Sequence, residues 1–223
     1  MNKIQDLVKK FEEYISKINS ENPEFFKAVA LIAQSYGYTL ENAAVFNRNL
    51  KKIIDLKHIL VADNPGVTEQ HEECYLVGKA GKTARNFFKN NGFVSDFDEE
   101  VAVLNKTFIH TKSTLDLKKL KDFKSLFEDS ERFMANLAVD MLEATEAELW
   151  ITGCSELGEK KLFSEYLKTL RSRCAQNPAL KEQIFFYPHF SFGNFSKNLN
   201  AVLSENPGMS VKEALKTAGL NIL

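Results

Sequence analysis

Four short apolar runs, all beyond residue 57, each stop abruptly at a polar residue. They occupy residues 58–63, 101–105, 148–153 and 184–188. Each run is too short for a helix and is bounded by polar or turn residues, so each predicts a buried β-strand. Stretches with helical spacing lie between them, at 80–91, about 117–146 and 158–175. This alternation predicts an α/β fold in which a four-stranded parallel sheet is covered by helices on both faces, giving three layers, α/β/α.

Additional helices are expected before the sheet. Apolar residues recur at helical spacing over residues 4–18, which predicts an amphipathic helix. Asn22 followed by Pro23 marks the start of a second helix, with the proline at its first position. A third helix is expected over residues 39–57, with Thr39 as its N-terminal cap.

The C-terminal stretch predicts one helix after Ser196 and a short one capped by Ser210. No proline-rich or serine-rich linker interrupts the chain. We therefore expect one domain over residues 1–223, with a helical N-terminal portion (1–55), a core (56–200) and C-terminal helices (201–223).

Composition and charge exclude several classes of protein. A net charge of -1 gives no overall basic surface, so a nucleic-acid partner would need a local basic patch. Cys74, Cys154 and Cys174 fit neither a disulfide framework nor a CxxC metal site, which favours reduced thiols in the cytoplasm. No apolar run approaches the roughly 20 residues that span a bilayer. The N-terminus also lacks the apolar stretch of a secretory signal. We expect a cytoplasmic protein without a membrane partner.

The predicted strands bring chemically useful groups to one edge of the sheet. In chain order these groups are Asp63 with Asn64, Asn105, residues 152–154 (Thr-Gly-Cys) and His189. In open α/β sheets, ligands bind in the crevice beyond the carboxyl ends of the strands. The sequence therefore predicts a binding site at this edge.

Sequence motifs argue against cofactors and metals. The turn after the first strand lacks the GxxxxGK[ST] of a P-loop, and no GxGxxG is present, so we expect no nucleotide cofactor. His71 and His110 have no partner at metal-ligand spacing. Gly81, followed by Lys82 and Arg85, either presents helix N-terminal amides to a phosphate or only shapes a turn while the cations face water.

Two further features each allow two interpretations. From His189 to Ser196, small polar residues alternate with aromatic ones. Such residues hold phosphates and stack on bases in nucleic-acid-binding loops, although a histidine after a strand is usually a hydrogen-bonded rim residue. Asn105 either caps a turn or pairs with the edge of a base, because its amide carries a donor and an acceptor side by side.

Read in chain order, the motifs at these strand ends resemble those of the uracil-DNA glycosylase superfamily. Its first motif, GEAPG, GQDPY or GMNPG in different branches, is similar to residues 62–66 (ADNPG). Glu69 and residues 75–81 (YLVGKAG) resemble the E...PFVGxAG of the iron-sulfur branch. Asn105 stands where the family has a base-reading asparagine, and residues 189–191 (HFS) stand where it has HPS.

The resemblance covers roughly residues 55–200 and implies hydrolysis of the N-glycosidic bond of uracil, or a related deaminated base, in DNA. The family flips its target base out of the duplex into a pocket. Asp63 would hold or activate the attacking water, with Asn64 as the alternative. Asn105 would read the Watson–Crick edge of the base, and His189 would donate a hydrogen bond to the departing base.

The resemblance also assigns stacking and phosphate contacts. The position of the aromatic residue that stacks on the base is taken by Leu76, with Tyr75 beside it. The iron-sulfur cysteines are absent, so no cluster is expected. The residues implied to bind DNA and its phosphates are Gly66, Gly81, Lys82, Arg85, Ser191, Phe192, Asn194, Ser196 and Lys197.

Two other functions stay open: a catalytically silent protein of the same fold that binds nucleic acid or a free base, and a small-molecule hydrolase. A basic strip of Lys79, Lys82, Arg85 and Lys197 would argue against the hydrolase. An aromatic side chain facing Asn105 across the pocket would favour the glycosylase over the silent protein.

Overall fold

The sheet contains the four predicted strands. The computed structural model describes residues 3–220 and 222–223, except for the side chain of Phe192. The strands are β1 (His58–Ala62), β2 (Val101–Asn105), β3 (Glu148–Thr152) and β4 (Ile184–Tyr187). All neighbouring pairs are parallel, in the order β2-β1-β3-β4. The predicted four-stranded parallel sheet is confirmed.

Helices cover both faces of this sheet, which confirms the three-layer α/β/α fold. They are α1 (Lys3–Glu21), α2 (Pro23–Ser35), α3 (Val67–Glu72), α4 (Lys79–Asn90), α5 (Phe97–Glu100), α6 (Lys124–Glu143), α7 (Ser164–Gln176), α8 (Asn194–Glu205) and α9 (Val211–Ala218). On one face α6 contacts β1, β2 and β3 and packs against α1 and α7. On the other face, Phe88 of α4 lies 4.9 Å from Trp150 of β3, measured between ring centroids. Phe195 of α8 lies 5.7 Å from Tyr187 of β4 in the same way.

The strands are apolar along their length because helices bury both of their faces. Every residue of β1 and β2 is buried. The buried apolar side chains form one cluster that extends from Ile4 in α1 to Leu215 in α9. The order of the strands reverses at β1, since β2 lies on one side of it and β3 on the other. Such a reversal opens a crevice at the carboxyl ends of the strands, where the polar residues of this chain gather.

The expectation of a third N-terminal helix over residues 39–57 is wrong. Only a 3-10 helix, Arg48–Lys52, forms in this segment. The preceding residues 43–46 are buried one after another, and the N–H of Val45 donates to the carbonyl of Phe108 instead of to its own segment. Asn47 is fully buried, and its amide donates to the carbonyl of Val103 at 2.8 Å. The backbone is therefore satisfied by neighbouring segments, which overrides the local helical spacing.

Other helices differ from their predicted bounds by a few residues. The stretch predicted as 117–146 begins with 3-10 turns, and α6 itself starts at Lys124. The stretch predicted from 158 becomes helical only at Ser164. The hydroxyl of Ser210 accepts the N–H of Glu213, which confirms it as the cap of α9. Across the described residues, no helix combines the length and the apolar character needed to cross a membrane.

His58 begins β1 at the edge of the sheet opposite the polar strand ends. Its ring is enclosed by Phe88, Phe93 and Trp150, with ring centroids 5.1, 5.9 and 5.3 Å away. Its Nδ1 atom is buried, and no described residue is its hydrogen-bond partner. Burial lowers the pKa of His58 to about 4, although the nearby Glu148 carboxylate raises it. The folded protein therefore holds this histidine neutral.

We expect the substitution His58→Phe to reduce the loss of stability in acid. The unfolded chain protonates His58 near pH 6.5 and the folded protein only near pH 4, so acid favours unfolding between these values. The difference corresponds to roughly 3 kcal/mol of unfolding free energy, lost as the pH falls from about 6.5 to about 4. Urea unfolding at pH 7 and pH 4 measures it. An equal fall in the parent and the variant would contradict this role of His58.

Candidate functional site

A cleft with a volume of about 810 Å³ opens at the carboxyl edge of the sheet. Asp63, Asn64, Asn105 and His189 all line it, although 126 positions of sequence separate the first from the last. Asp63 and Asn64 follow β1, Asn105 ends β2, and His189 lies just after β4. The parallel arrangement of the strands therefore brings them together. The structure therefore collects the principal site residues predicted from the sequence in one place.

Asp63 forms an ion pair with a lysine that we did not predict as part of the site. The Nζ atom of Lys106 lies 2.5 Å from Asp63 Oδ1, and the lysine side chain is completely buried. The same ammonium donates to the carbonyls of Thr152 at 2.5 Å and Gly153 at 3.2 Å. Phe163 lies below it, with the ring centroid 5.2 Å from Nζ. One oxygen of Asp63 is thereby fixed, and the side chain keeps 24% of its surface exposed.

Gly153, directly after β3, leaves the space that the Asp63 carboxylate occupies. A Cβ atom at this position would lie 2.6 Å from Asp63 Oδ1. The backbone of Gly153 also has a φ of +76°, which side chains with a Cβ rarely adopt. The glycine therefore serves the site twice, through its conformation and through its lack of a side chain.

Asn64 has a structural role in the wall of the cleft. Its Nδ2 donates to the carbonyl of Thr111 at 3.0 Å, and its Oδ1 accepts the hydroxyl of Thr114 at 2.8 Å. Nδ2 also lies 3.2 Å from the carbonyl of Pro65. These bonds tie the turn after β1 to the loop after β2. With its polar atoms occupied, Asn64 is less suited than Asp63 to position a water molecule.

Asn105 presents an unsatisfied amide group. The side chain is 1% exposed, and its Nδ2 has no hydrogen-bond partner among the described residues. A buried donor without an acceptor costs about 1–3 kcal/mol, which a ligand with a carbonyl oxygen would recover. Because Asn105 lines the cleft, this donor is placed to bind such a ligand.

His189 is held as a neutral donor. The backbone N–H of Ser191 donates to its Nδ1 at 3.1 Å, and the Ser191 hydroxyl lies 2.7 Å from the same atom. A backbone N–H can only donate, so Nδ1 is an acceptor and the proton of the neutral ring is on Nε2. Burial and the Lys106 ammonium lower the pKa of His189, while Asp63 raises it. The Nε2–H of the neutral ring is thus the group left to bind a ligand.

The polar side chains of Glu69 and His110 hold the turn after β1 and the segment before α4 in place. Glu69 accepts the N–H of Gly66 at 2.7 Å and also the N–H of Leu76. Burial raises the pKa of Glu69, while its backbone hydrogen bonds lower it. The Nδ1 atom of His110 lies 2.9 Å from the carbonyl oxygen of Pro65. Burial lowers the pKa of His110 to about 4, so its ring is neutral. These contacts fix the two segments 62–66 and 75–81, which both precede β2.

Leu76, and not Tyr75, faces the cleft. Leu76 lines it with a φ of +55°. Tyr75 is fully buried, and its hydroxyl donates to the carbonyl of Val45, so it belongs to the core and cannot stack on a ligand. Gly81 allows this geometry, since a Cβ there would lie 1.5 Å from the Leu76 carbonyl oxygen. No Phe, Tyr or Trp side chain of the described residues lines the cleft.

The predicted phosphate-binding residues divide into two groups. Gly66, Gly81, Ser191 and Asn194 line the cleft. The others lie outside it, namely Lys82, Arg85, Ser196 and Lys197, while the side chain of Phe192 is outside the described part of the structure.

Each exclusion has a physical reason. The guanidinium of Arg85 lies 2.7 Å from an Asp98 oxygen and over the Phe97 ring, so its charge is already engaged. Lys82 is exposed on α4, and Ser196 and Lys197 follow the first residues of α8, beyond the cleft margin. Of the basic strip considered from the sequence, Lys79 alone lines the cleft, and the charge of Arg85 is paired with Asp98.

Two lysines do border the cleft. Lys79, at the start of α4, and Lys112, in the loop after β2, both line it and are both exposed. The Nζ atom of Lys112 lies 4.5 Å from the centroid of the Tyr36 ring. Neither lysine has an ion-pair partner among the described residues. Lys112 was missed because nothing in its local sequence indicates that its loop borders the site.

Cys154 also lines the cleft but is not a nucleophile. Burial raises the pKa of its thiol to about 11, although Lys106 lowers it. The sulfur lies 3.4 Å from the carbonyl of Tyr187, to which the thiol donates. A protonated, engaged thiol at neutral pH has little nucleophilic reactivity.

No cluster of three or more potential metal ligands is found within the described residues. Comparison of the chain with models of known protein families finds no match, and comparison with curated proteins finds no significant match. The chemistry of the cleft therefore has to be inferred from its own geometry.

We expect Gly153→Ala to destabilise the protein more than Gly37→Ala. Gly37 has a similar φ of +74°, but a Cβ there would meet nothing within 4 Å, so it isolates the backbone cost. The collision with Asp63 should add about 1–3 kcal/mol, as in other overpacked sites. Urea unfolding of the two variants measures the difference. Equal destabilisation would show that Asp63 moves away without cost.

Proposed function

We propose that the protein is a DNA glycosylase that hydrolyses the N-glycosidic bond of uracil or a related deaminated base. One observation supports this function above all: the buried Nδ2 of Asn105, which has no hydrogen-bond partner among the described residues, lies in the same cleft as the Asp63 carboxylate and the neutral ring of His189. This hydrolysis needs three elements: a group that recognises the edge of the base, a group that stabilises positive charge on the sugar, and a hydrogen-bond donor for negative charge on the base.

Asn105 is suited to select uracil. Its Nδ2 would donate to a carbonyl oxygen of the base, and its Oδ1 would accept the neighbouring ring N–H. Cytosine has the reverse arrangement of donor and acceptor at this edge, so it would leave the buried amide unpaired. Leu76 would supply an apolar contact to the face of the base in place of an aromatic ring.

Asp63 and His189 would act on the two charges that develop. When the bond between the sugar C1′ and the base nitrogen breaks, positive charge develops on the sugar and negative charge on the base. The Asp63 carboxylate would stabilise the first and orient the water that adds to C1′. His189 would donate its Nε2–H to an oxygen of the departing base, the kind of fixed donor that is worth about 3–4 kcal/mol in a transition state. The products are an abasic site and the free base.

A second candidate, hydrolysis of a free nucleoside or another small N-glycoside, is favoured by the distribution of charge. Among the described residues, only Lys79 and Lys112 bring unpaired ammonium groups to the cleft, and Arg85 is ion-paired with Asp98. A protein that follows a DNA backbone usually places more cations along its path. A silent base-binding protein would use Asn105 in the same way but would release no base.

We also propose a cytoplasmic location. Cys74, Cys154 and Cys174 are all free thiols, and the cytosol keeps such groups reduced.

Incubation with labelled DNA that contains a single uracil, followed by cleavage at abasic sites, tests the glycosylase directly. Deoxyuridine in a parallel reaction tests the small-molecule alternative. Release of uracil from DNA, with cytosine left in place, is the expected result. Release only from deoxyuridine would favour the second candidate, and release from neither, with uracil bound, would favour the silent protein.

We expect His189→Ala to lower the single-turnover rate of base release by about 100- to 1,000-fold, as for other lost transition-state donors. Affinity for the DNA should change little, because the lost hydrogen bond strengthens only as the base departs. Exposed His71, which lies outside the cleft, provides the control variant His71→Ala. Comparable rates for His189→Ala and the parent would remove His189 from the mechanism.

A further inference from the structure

We propose that Lys106 is a positioning residue for the Asp63 carboxylate, which it fixes against the reacting sugar. This inference rests on the proposed function and adds to it a residue outside the motifs that suggested that function. It follows from the hydrogen bonds of the ammonium group, from its burial and from the space that Gly153 leaves.

The Lys106 ammonium has no capacity left for a ligand. Its three N–H groups are matched by three acceptors, Asp63 Oδ1 and the carbonyls of Thr152 and Gly153. The side chain has no exposed surface. A charged, fully hydrogen-bonded amine is not a nucleophile, so Lys106 acts on the reaction through Asp63.

The backbone of Lys106 strengthens the same connection. Its N–H lies 2.9 Å from the carbonyl of Ala62 and 3.1 Å from that of Asp63. One residue therefore links the ends of β1, β2 and β3, and it directly follows Asn105. Lys106 thus fixes the position of the Asp63 carboxylate, which would face the sugar, relative to the Asn105 amide, which would bind the base.

Fixing Oδ1 leaves the second oxygen of Asp63 for the reaction. Oδ2 has no hydrogen bond to any described residue, and Asp63 lines the cleft. When a bound nucleotide displaces water, the attraction between the Lys106 and Asp63 charges grows, because the local dielectric constant falls. The pair therefore keeps the carboxylate in place when the substrate is bound.

The variant Lys106→Met tests this role, because it keeps an unbranched side chain one atom shorter and removes the charge. Misplacement of a reacting group by about 1 Å can cost about 100-fold in rate, so we expect a loss of that size in the single-turnover rate on uracil DNA. Affinity for DNA with a stable abasic-site analogue should change less than about threefold, since Lys106 does not reach the ligand. The control is Lys57→Met. Lys57 directly precedes β1, at the end of the strand opposite the cleft, and its Nζ atom lies 2.9 Å from Glu100 Oε1. This variant should leave the rate unchanged.

The background Asp63→Asn shows whether Lys106 acts through Asp63. The double variant Asp63→Asn/Lys106→Met should be as slow as Asp63→Asn alone, since residues that act as a unit are not additive. This comparison holds even if Lys106→Met alone does not fold, because the double variant buries no unpaired charge. A double variant that is much slower than Asp63→Asn would overturn the proposal.

NMR of protein with ¹⁵N-labelled lysine separates this inference from the proposed function. The Lys106 ammonium should give a protected signal that is absent in Lys106→Met and shifted or lost in Asp63→Asn. A parental rate in Lys106→Met, with uracil released normally, would overturn the role of Lys106 and leave the glycosylase intact. A parent that releases no base would overturn the function, and the role of Lys106 in it, even if the ammonium signal shows the ion pair.

Discussion

The cleft depends on one buried ammonium group, the Nζ atom of Lys106. Removing a charge from water costs several kcal/mol, and this cost is offset only where acceptors surround the ion with good geometry. The acceptors here are a carboxylate after β1 and two carbonyls at the end of β3. Satisfying the lysine therefore requires three strand ends to lie in register, and that register sets the shape of the site.

Polar groups around the cleft divide by whether their hydrogen bonds are complete. Lys106, Asn64 and Glu69 have their polar atoms engaged by the protein, and they hold the walls in place. Asn105 Nδ2 lacks a described partner, and the donor face of His189 is left for a ligand. Since an unsatisfied buried donor costs stability, Asn105 Nδ2 is the group of this cleft that a ligand with a carbonyl oxygen would complete.

The charge around this cleft is modest. Lys79 and Lys112 stand at its border without described carboxylate partners, while Arg85 is held by Asp98 and Phe97. Two exposed lysines are few cations for a surface that would follow a long DNA backbone. Asn105 would recognise the base in both the proposed glycosylase and the small-molecule alternative, so the number of phosphates contacted is the property that would separate them.

Local sequence was enough to predict the four strands and the polar residues at their ends, because a fully buried parallel strand reads as a short apolar run. It failed for residues 39–57, where hydrogen bonds to distant segments replace those of a helix. The sequence also suggested Tyr75 and Arg85 as site residues. In the structure Tyr75 is buried in the core, and Arg85 forms an ion pair with Asp98. The lysine after Asn105 was visible in the sequence, but its role was not. Its partners are 43, 46 and 47 positions away in the chain, and only the parallel pairing of the strands brings them within reach of its ammonium.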